Sequence, residues 1–228
     1  MWWAKSESVT LYLSGSTMAL RGPAVEGLRL ALSTPDEFRD MLGMWLGRYP
    51  GLTWQVLLGG RLCVLQCLMP INGTNSIEEA EAVAAATLST PAKPWQARLT
   101  VWSSHGARPW LAACTPLGLV DELSAMIERG GRLQSLHPWW TTLPRQGRLA
   151  DAALCDDESV TYWRSGADGA VTEAATFLAS TENQASVLRR LRVGGPLSCW
   201  QLDLAGWGST NTPMVRKDSS DAADSTAL

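Results

Sequence analysis

The residues that could form a catalytic site are few and lie far apart in the sequence. Ser103, Ser104 and His105 place two hydroxyls next to an imidazole in a predicted loop. A nucleophilic serine needs a base within hydrogen-bond reach, and adjacent loop residues rarely achieve that geometry. The G-x-S-x-G motif, which exposes a serine on a sharp turn, is absent from the sequence. We therefore interpret these three residues as a solvated loop.

Two further groups resemble metal ligands by residue type but not by spacing. Asp156, Asp157 and Glu158 form an acidic triplet, but they lack the alternating ligand positions of a calcium loop. Cys63 and Cys67 have C-x₃-C spacing, but no second cysteine or histidine pair follows at the spacing of a zinc site. The sequence therefore predicts a solvated turn at the triplet and no metal or other cofactor.

Composition limits the function classes further. The chain has 228 residues, of which 46% are apolar and 18% charged, and its net charge is −3. This balance is typical of a globular protein and lacks the basic excess of a nucleic-acid binder. The five cysteines are odd in number and four lie in apolar segments, which favours buried thiols in a reducing compartment over disulfides.

Phosphate-binding motifs are also absent, since the sequence contains neither a P-loop nor a G-x-G-x-x-G fingerprint. Gly194-Gly195-Pro196 is interpreted as a helix stop, because it follows a helix that ends in Arg189, Arg190 and Arg192. With a negative net charge, these arginines are expected to form a solvated helix face. The sequence therefore predicts no catalytic residues.

Hydrophobic periodicity predicts alternating strands and helices. Val9, Leu11 and Leu13 alternate with polar residues, and the turn at 14–16 joins this strand to the next. The full pattern reads βββ-α-ββ-α-ββ-α-β-βββ-α-β. Thr34-Pro35-Asp36-Glu37 and Ser76-Ile77-Glu78-Glu79 predict the capped starts of the first two helices, and Thr115-Pro116 and Thr181 predict the next two.

The ends of the chain differ from its middle. The first residues lack the basic region and apolar run of a secretory signal, and no segment reaches the roughly 20 apolar residues of a spanning helix. Residues 208–228 are mainly small and polar, so we expect a disordered tail. Most of the twelve tryptophans are expected to lie in the core.

The order of elements and several short stretches resemble one protein family. The matching stretches are residues 30–33, 48–54, 112–123 and 133–138. They are similar to the actin-like proteins of bacterial inner-membrane assembly platforms, namely the PilM proteins of type IV pili and the cytoplasmic part of GspL in type II secretion. The resemblance covers about residues 8–205. It departs at the first hairpin, where nucleotide-binding members carry an acidic residue and this chain has Ser14-Gly15-Ser16.

The resemblance implies an α/β, actin-like (RNase H-like) fold of mixed sheets with flanking helices, in a shortened form. It divides the chain into a first lobe with an inserted subdomain (1–145), a shortened second lobe (146–207) and the tail (208–228). The implied function is a non-catalytic scaffold, cytoplasmic and peripheral to the inner membrane. Its partners would be other platform proteins and a membrane protein's short cytoplasmic N-terminal segment, with no nucleic acid and no membrane insertion.

Two alternatives remain open at this point, an ATP-binding actin-like enzyme and an unrelated α/β protein-binding module. For the partner-binding surface we predict Trp139 and Trp140, which follow Pro138. Successive residues of a strand point to opposite faces, so one of the two tryptophans is expected to be exposed. An exposed tryptophan is a common anchor for a partner peptide.

Overall fold

The fold consists of two mixed sheets flanked by helices. The computed structural model describes residues 8–23, 25–34, 36–68, 76–100, 110–143, 151–167, 169, 171–204 and 215–217. Within these ranges the chain forms thirteen strands, four α-helices and two short 3-10 helices. No helix among the described residues is both long enough and apolar enough to cross a membrane.

The first sheet has five strands in the order β3-β2-β1-β4-β8. Their bounds are β1 Ser8–Leu13, β2 Thr17–Gly22, β3 Val25–Ala31, β4 Thr53–Leu58 and β8 Arg132–Pro138. The opening meander pairs antiparallel, whereas β1, β4 and β8 run parallel. Consecutive residues Leu11, Tyr12 and Leu13 are all buried, as expected of a central strand covered on both faces.

The second sheet has eight strands in the order β13-β12-β9-β10-β11-β5-β7-β6. Their bounds are β5 Val64–Leu68, β6 Trp95–Thr100, β7 Trp110–Pro116, β9 Ala152–Cys155, β10 Ser159–Ser165, β11 Val171–Leu178, β12 Ser198–Leu202 and β13 Val215–Lys217. Strands β5 to β7 belong to this sheet although their chain neighbours β4 and β8 belong to the first. Among the described residues, one register pair, Ala175 with Gln66, connects β5 to β11 and so to the rest of the sheet.

Each helix packs an apolar face on one of the sheets. The helices are α1 Phe38–Arg48, α2 Ile77–Leu88, α3 Leu119–Gly130 and α4 Thr181–Arg192. Helices α1 and α3 cover the first sheet, and the residues that α3 buries, Leu119, Leu123 and Ile127, recur every four positions. Helix α2 packs on β5 to β7, while α4 packs on β9, β10 and β12.

The apolar packing agrees with much of the sequence pattern. Helix α1 buries Phe38, Leu42, Trp45 and Leu46, which lie on one face at helical spacing. All five cysteines lie within the described residues and none forms a disulfide; four are buried and Cys67 is half-buried. The predicted N-cap of α2 at Ser76 is confirmed, since Glu79 N donates to Ser76 Oγ at 3.1 Å.

Several predicted boundaries are wrong. Helix α1 begins at Phe38 without a side-chain cap from Thr34. Thr115 and Pro116 continue strand β7, and α3 begins only at Leu119, after a left-handed Gly118. In these places pairing with a neighbouring strand or a different turn outweighs a local capping signal.

The segment 208–228 also departs from expectation. Val215–Lys217 form an edge strand paired with β12, so disorder does not extend over these three residues. Their pairing depends on β12, which the local composition cannot reveal. The division of the chain into two lobes near residue 145 stays a prediction.

Candidate functional site

The turn between β1 and β2 points the donors of Ser14, Gly15 and Ser16 toward the second sheet. Ser14 N donates to Thr17 O at 2.8 Å, and Thr17 N donates to Ser14 Oγ at 3.0 Å. Ser14 is fully buried. The hairpin therefore holds its hydroxyls and amides in fixed positions at the end of the first sheet.

The acidic triplet lies in the turn between β9 and β10. Asp156 Oδ1 accepts hydrogen bonds from Glu158 N at 2.9 Å and from Ser159 N at 2.7 Å. Gln184 of α4 donates from Nε2 to Asp156 O at 2.6 Å. The turn is thus fixed both by its own carboxylate and by the first turn of α4.

The hairpin and the acidic turn are in direct contact through Asp157. Its Oδ1 accepts from Tyr12 Oη at 2.7 Å, and its Oδ2 accepts from Ser14 Oγ at 2.9 Å and Ser16 Oγ at 3.1 Å. Three hydroxyls of the first sheet therefore converge on one carboxylate of the second.

The neighbouring carboxylates extend this contact. Gly15 N donates to Glu158 Oε2 at 2.7 Å, and Gly60 N donates to Asp156 Oδ2 at 2.7 Å. Arg61 Nε lies 3.6 Å from Glu158 Oε1. We call the whole set the intersheet contact; its members are Tyr12, Ser14, Gly15, Ser16, Gly60, Arg61, Asp156, Asp157 and Glu158.

Burial shapes the electrostatics of the intersheet contact. Asp156 is 4% exposed, and its burial together with the charge of Asp157 raises its pKa to about 6. Backbone amide donors from Glu158 and Gly60, together with the Ser159 side chain, oppose that rise in pKa. Burial and the nearby charges of Asp156 and Asp157 also raise the pKa of Tyr12 well above its ordinary value, so Tyr12 remains a hydrogen-bond donor.

Glycine is required where the two loops meet. Gly60 has φ +54°, and a Cβ there would overlap Glu158 Oε2. A Cβ on Gly15 would lie 2.6 Å from Arg61 Cγ and 2.9 Å from Glu158 Oε2. Both positions allow the carboxylates to approach the backbone amides closely.

A cavity of about 330 Å³ opens beside the intersheet contact. It is lined by Arg29 of β3, Asp156 and Asp157, Thr181 of α4 and residues 201–204, which include Asp203. Three carboxyl groups and one guanidinium therefore face this space, an unfavourable environment for a polyanion.

The hydrogen-bond donors of the hairpin are used within the chain itself. Hydroxyl and amide donors at the end of a β-hairpin are groups that proteins use to bind phosphate. Here those of Ser14, Gly15 and Ser16 are bonded to carboxylates of the same chain. The intersheet contact therefore joins the two sheets, with the position an anion could take filled by Asp157 and Glu158.

The sequence prediction of a solvated acidic turn is wrong. Asp156 is buried, and Asp157 and Glu158 are half-buried. The acceptors of the hairpin donors lie more than 140 residues further along the chain. The sequence does contain a donor-rich turn of serine and glycine and a separate acidic turn. Nothing in either turn, however, shows that the two are in contact.

The predicted partner-binding tryptophans lie elsewhere. Trp139 and Trp140 form a 3-10 helix after β8 and are 0% and 4% exposed. The expectation that one of them is exposed is wrong, because the chain leaves the strand conformation at Pro138 and turns both side chains inward. A role in partner binding would require this 3-10 helix to open.

Ser103, Ser104 and His105 lie outside the described residues. His137 is half-buried beside Thr141 Oγ1 at 2.6 Å and Gln55 Nε2 at 3.2 Å. It lies near the end of the edge strand β8 of the first sheet.

No protein-family model matches the sequence, and neither does any curated protein. The fold, however, is similar to that of solved structures. The cytoplasmic domain of EpsL, an inner-membrane component of the type II secretion system of Vibrio cholerae, superposes with a TM-score of 0.55 and 14% identity. The match covers 86% of this chain and 82% of that domain.

A protein from Bacteroides thetaiotaomicron with an actin-like ATPase fold and unknown function superposes with a TM-score of 0.53 and 11% identity, over 84% of this chain and 77% of that one. The PilM-PilN type IV pilus biogenesis complex gives a TM-score of 0.47 and 15% identity, over 89% of this chain and 68% of that one, which is too weak for a fold assignment. The chain has the predicted actin-like fold, and the sequence resemblance is confirmed at the level of the fold.

Proposed function

We propose that this chain is a non-catalytic scaffold of a bacterial inner-membrane platform for pilus assembly or secretion. It would bind a cytoplasmic segment of a membrane protein, together with other platform proteins, at the cytoplasmic face of the inner membrane. The fold is that of the EpsL cytoplasmic domain, which belongs to such a membrane component. From this similarity in fold we propose a similar role for this chain.

The proposal that the scaffold is non-catalytic rests on one observation, which is that carboxylates of the same chain occupy the donors of the first hairpin. Asp157 and Glu158 accept hydrogen bonds from Ser14, Gly15 and Ser16, the groups at the end of the first hairpin. Catalysis on a phosphoryl group needs oriented donors or cations that meet its negative charge. In this chain the donors already meet the charge of two carboxylates, so the contact serves to join the sheets.

The scaffold role is tested by affinity capture from the native cell. The full chain carries a tag, is cross-linked in the cell and is purified from solubilised membranes. We expect an inner-membrane platform protein with a short cytoplasmic N-terminal segment to be enriched. A synthetic peptide of that segment should then bind the purified chain in fluorescence anisotropy, whereas a scrambled peptide should not. Failure of the authentic peptide to bind would contradict the proposed partner class.

The alternative of an ATP-binding enzyme makes the opposite prediction. Phosphates entering the hairpin would face Asp156, Asp157 and Glu158 at close range, and like charges repel strongly where water is excluded. We expect calorimetric titration with Mg-ATP to give no binding heat. Binding at micromolar affinity, or measurable ATP turnover, would favour the enzyme over the scaffold.

A further inference from the structure

The C-terminal turn of α4 presents two arginines and a valine on one exposed face. Arg189 and Arg190 are exposed, and Val193 is 90% exposed. Val193 follows them by four and three positions, and residues at these spacings lie on the same side of a helix. We call Arg189, Arg190 and Val193 the basic tip.

Basic residues in the last turn of a helix commonly stabilise its C-terminal carbonyls. In α4 this role belongs to Arg164, whose Nη2 donates to Leu191 O at 2.5 Å and to Gly195 O at 3.3 Å. Arg164 also pairs with Asp151 at 3.3 Å, and its side chain is only 13% exposed. The helix end is therefore stabilised from beneath by the half-buried guanidinium of Arg164.

The guanidinium groups of Arg189 and Arg190 are not used within the described fold. Neither forms an ion pair or a hydrogen bond with a described residue. Arg192 differs, because its Nη2 lies 3.4 Å from Cys199 Sγ and turns back toward β12. The two exposed arginines are therefore available to a partner.

The loop after α4 holds Val193 outward. Val193 N, Gly194 N and Gly195 N donate to the carbonyls of residues 190, 191 and 192 at 3.3, 3.2 and 3.0 Å. These bonds prolong the helical turn, and Val193 itself has φ −58° and ψ −32°. The apolar side chain is thus fixed in an exposed position, where it cannot fold back on the sheet.

The acidic side chains of the intersheet contact do not cancel this local charge. Gln184, near the start of α4, bonds the acidic turn, whereas the basic tip lies at the other end of the helix. Gln184 lies five and six positions before Arg189 and Arg190, which is about 8–9 Å along the helix axis. The acidic turn is thus about one Debye length, roughly 8 Å at physiological salt, from these arginines, so its charges are partly screened there and the basic tip keeps a local positive charge despite the net charge of −3.

We propose that the basic tip contacts the surface of an anionic lipid bilayer. Arg189 and Arg190 would bind lipid phosphates, and Val193 would enter the headgroup layer between them. Each arginine near an anionic membrane strengthens association by about fivefold. Such binding is weak by itself, but it sets the orientation of a protein that another partner already holds at the membrane.

The test uses the purified full chain with vesicles of phosphatidylcholine, with and without about 30% phosphatidylglycerol. We expect sedimentation with the anionic vesicles only, decreasing as salt is raised. Arg189→Glu with Arg190→Glu should weaken this association at least tenfold, and Val193→Ser should weaken it severalfold. Circular dichroism and the Tm check that each variant is folded.

The matched control is Arg129→Glu with Arg132→Glu, which makes the same change in net charge at exposed positions in the last turn of α3 and at the start of β8. It should retain vesicle binding. Absence of wild-type binding to anionic vesicles would overturn the proposal, as would an equal loss in the control pair. Binding to poly-glutamate but not to vesicles would instead assign the basic tip to an acidic protein and also overturn it.

Discussion

The Tyr12 hydroxyl donates a 2.7 Å hydrogen bond to Asp157 Oδ1, although the two residues are 145 positions apart. Tyr12 lies in the central strand of the first sheet, and Asp157 lies in a turn of the second. This hydrogen bond therefore connects the two sheets directly. Each residue of this contact offers a direct test of its contribution.

Tyr12→Phe should lower the free energy of unfolding by about 1.5–3 kcal/mol, the usual contribution of a hydrogen bond to a charged group. The phenyl ring would remain in place, so packing beneath Gly59 would be preserved. Urea unfolding measures the change. The control is Tyr49→Phe, because the Tyr49 hydroxyl has no hydrogen bond to a described residue. Equal losses in the two variants would contradict a special role for the Tyr12 hydroxyl.

Gly60→Ala should destabilise the chain more than Gly118→Ala. Both glycines have positive φ, +54° and +78°, so each substitution carries a backbone cost of roughly 1–2 kcal/mol. At Gly118 a Cβ meets nothing within 4 Å, whereas at Gly60 it overlaps Glu158. We expect a further loss of about 1–3 kcal/mol at Gly60, as for other overpacked positions. Thermal unfolding of both variants side by side gives the difference.

The contribution of Asp156 should fall as pH rises. Its pKa in the folded chain is about 6, above the value of 3.8 expected for an unfolded chain. The folded state therefore binds the proton more tightly, and the stabilisation present below pH 4 is lost as pH rises through 6. The difference of about two pKa units corresponds to about 3 kcal/mol.

Urea unfolding between pH 4 and pH 7.5 measures this dependence. Asp156→Asn cannot titrate, so the wild type should lose stability relative to this variant across that range. Asp121→Asn, at an exposed position of α3, serves as the control and should track the wild type. Parallel pH profiles for the wild type and the Asp156 variant would show that the folded-state pKa is not raised.

Removing the two carboxylates that fill the hairpin should create an anion site. In Asp157→Ala with Glu158→Ala, the donors of Ser14, Gly15 and Ser16 lose their acceptors and are free to bind phosphate. We expect inorganic phosphate to raise the Tm of this variant by a few degrees, since about 1 kcal/mol shifts the Tm of a chain this size by roughly 2–4 °C. The wild type should not respond at matched ionic strength.

The control for this experiment removes two acidic groups elsewhere. Glu128→Ala with Glu182→Ala makes the same change in net charge at exposed positions of α3 and α4. A phosphate response in the control equal to that in the test variant would mean that overall charge, and not the hairpin, binds the ion.

Trp139→Ala and Trp140→Ala should each lower stability by about 3–5 kcal/mol, as for other buried aromatic residues. Met44→Ala, 54% exposed on α1, should change stability by less than about 0.5 kcal/mol. Chemical unfolding measures all three. A tryptophan variant that melts normally but fails to bind the partner peptide would restore the original assignment of this residue as an anchor.

The sequence predicted the order of strands and helices because hydrophobic periodicity and the residues of turns and helix caps are local properties of the chain. The strand at Val9, Leu11 and Leu13 and the start of α2 at Ser76 follow directly from them. The actin-like fold came from resemblance and agrees with the structural neighbours. The boundaries that failed, such as the start of α3, depend on pairing with distant strands.

The intersheet contact could not be predicted in the same way. Its donors and acceptors come from opposite sheets, and nothing in the turn at Asp156 distinguishes a buried carboxylate from a solvated one. Likewise, Trp139 and Trp140 follow a strand in sequence, but the 3-10 turn that buries them depends on tertiary packing. A contact map or an alignment with co-varying positions would supply the missing long-range information.

The single register pair between β11 and β5 gives the second sheet unequal mechanical strength. Strands β10 and β11 are paired along seven positions, whereas Ala175 with Gln66 is the only pair described between β11 and β5. Two further hydrogen bonds cross this seam, from Leu65 N to Thr176 Oγ1 at 2.8 Å and, more weakly, from Cys67 Sγ to Thr172 O at 3.8 Å. Under a pulling force across the sheet, the seam would rupture first and leave β9 to β11 intact, because local opening begins where the fewest bonds must break together.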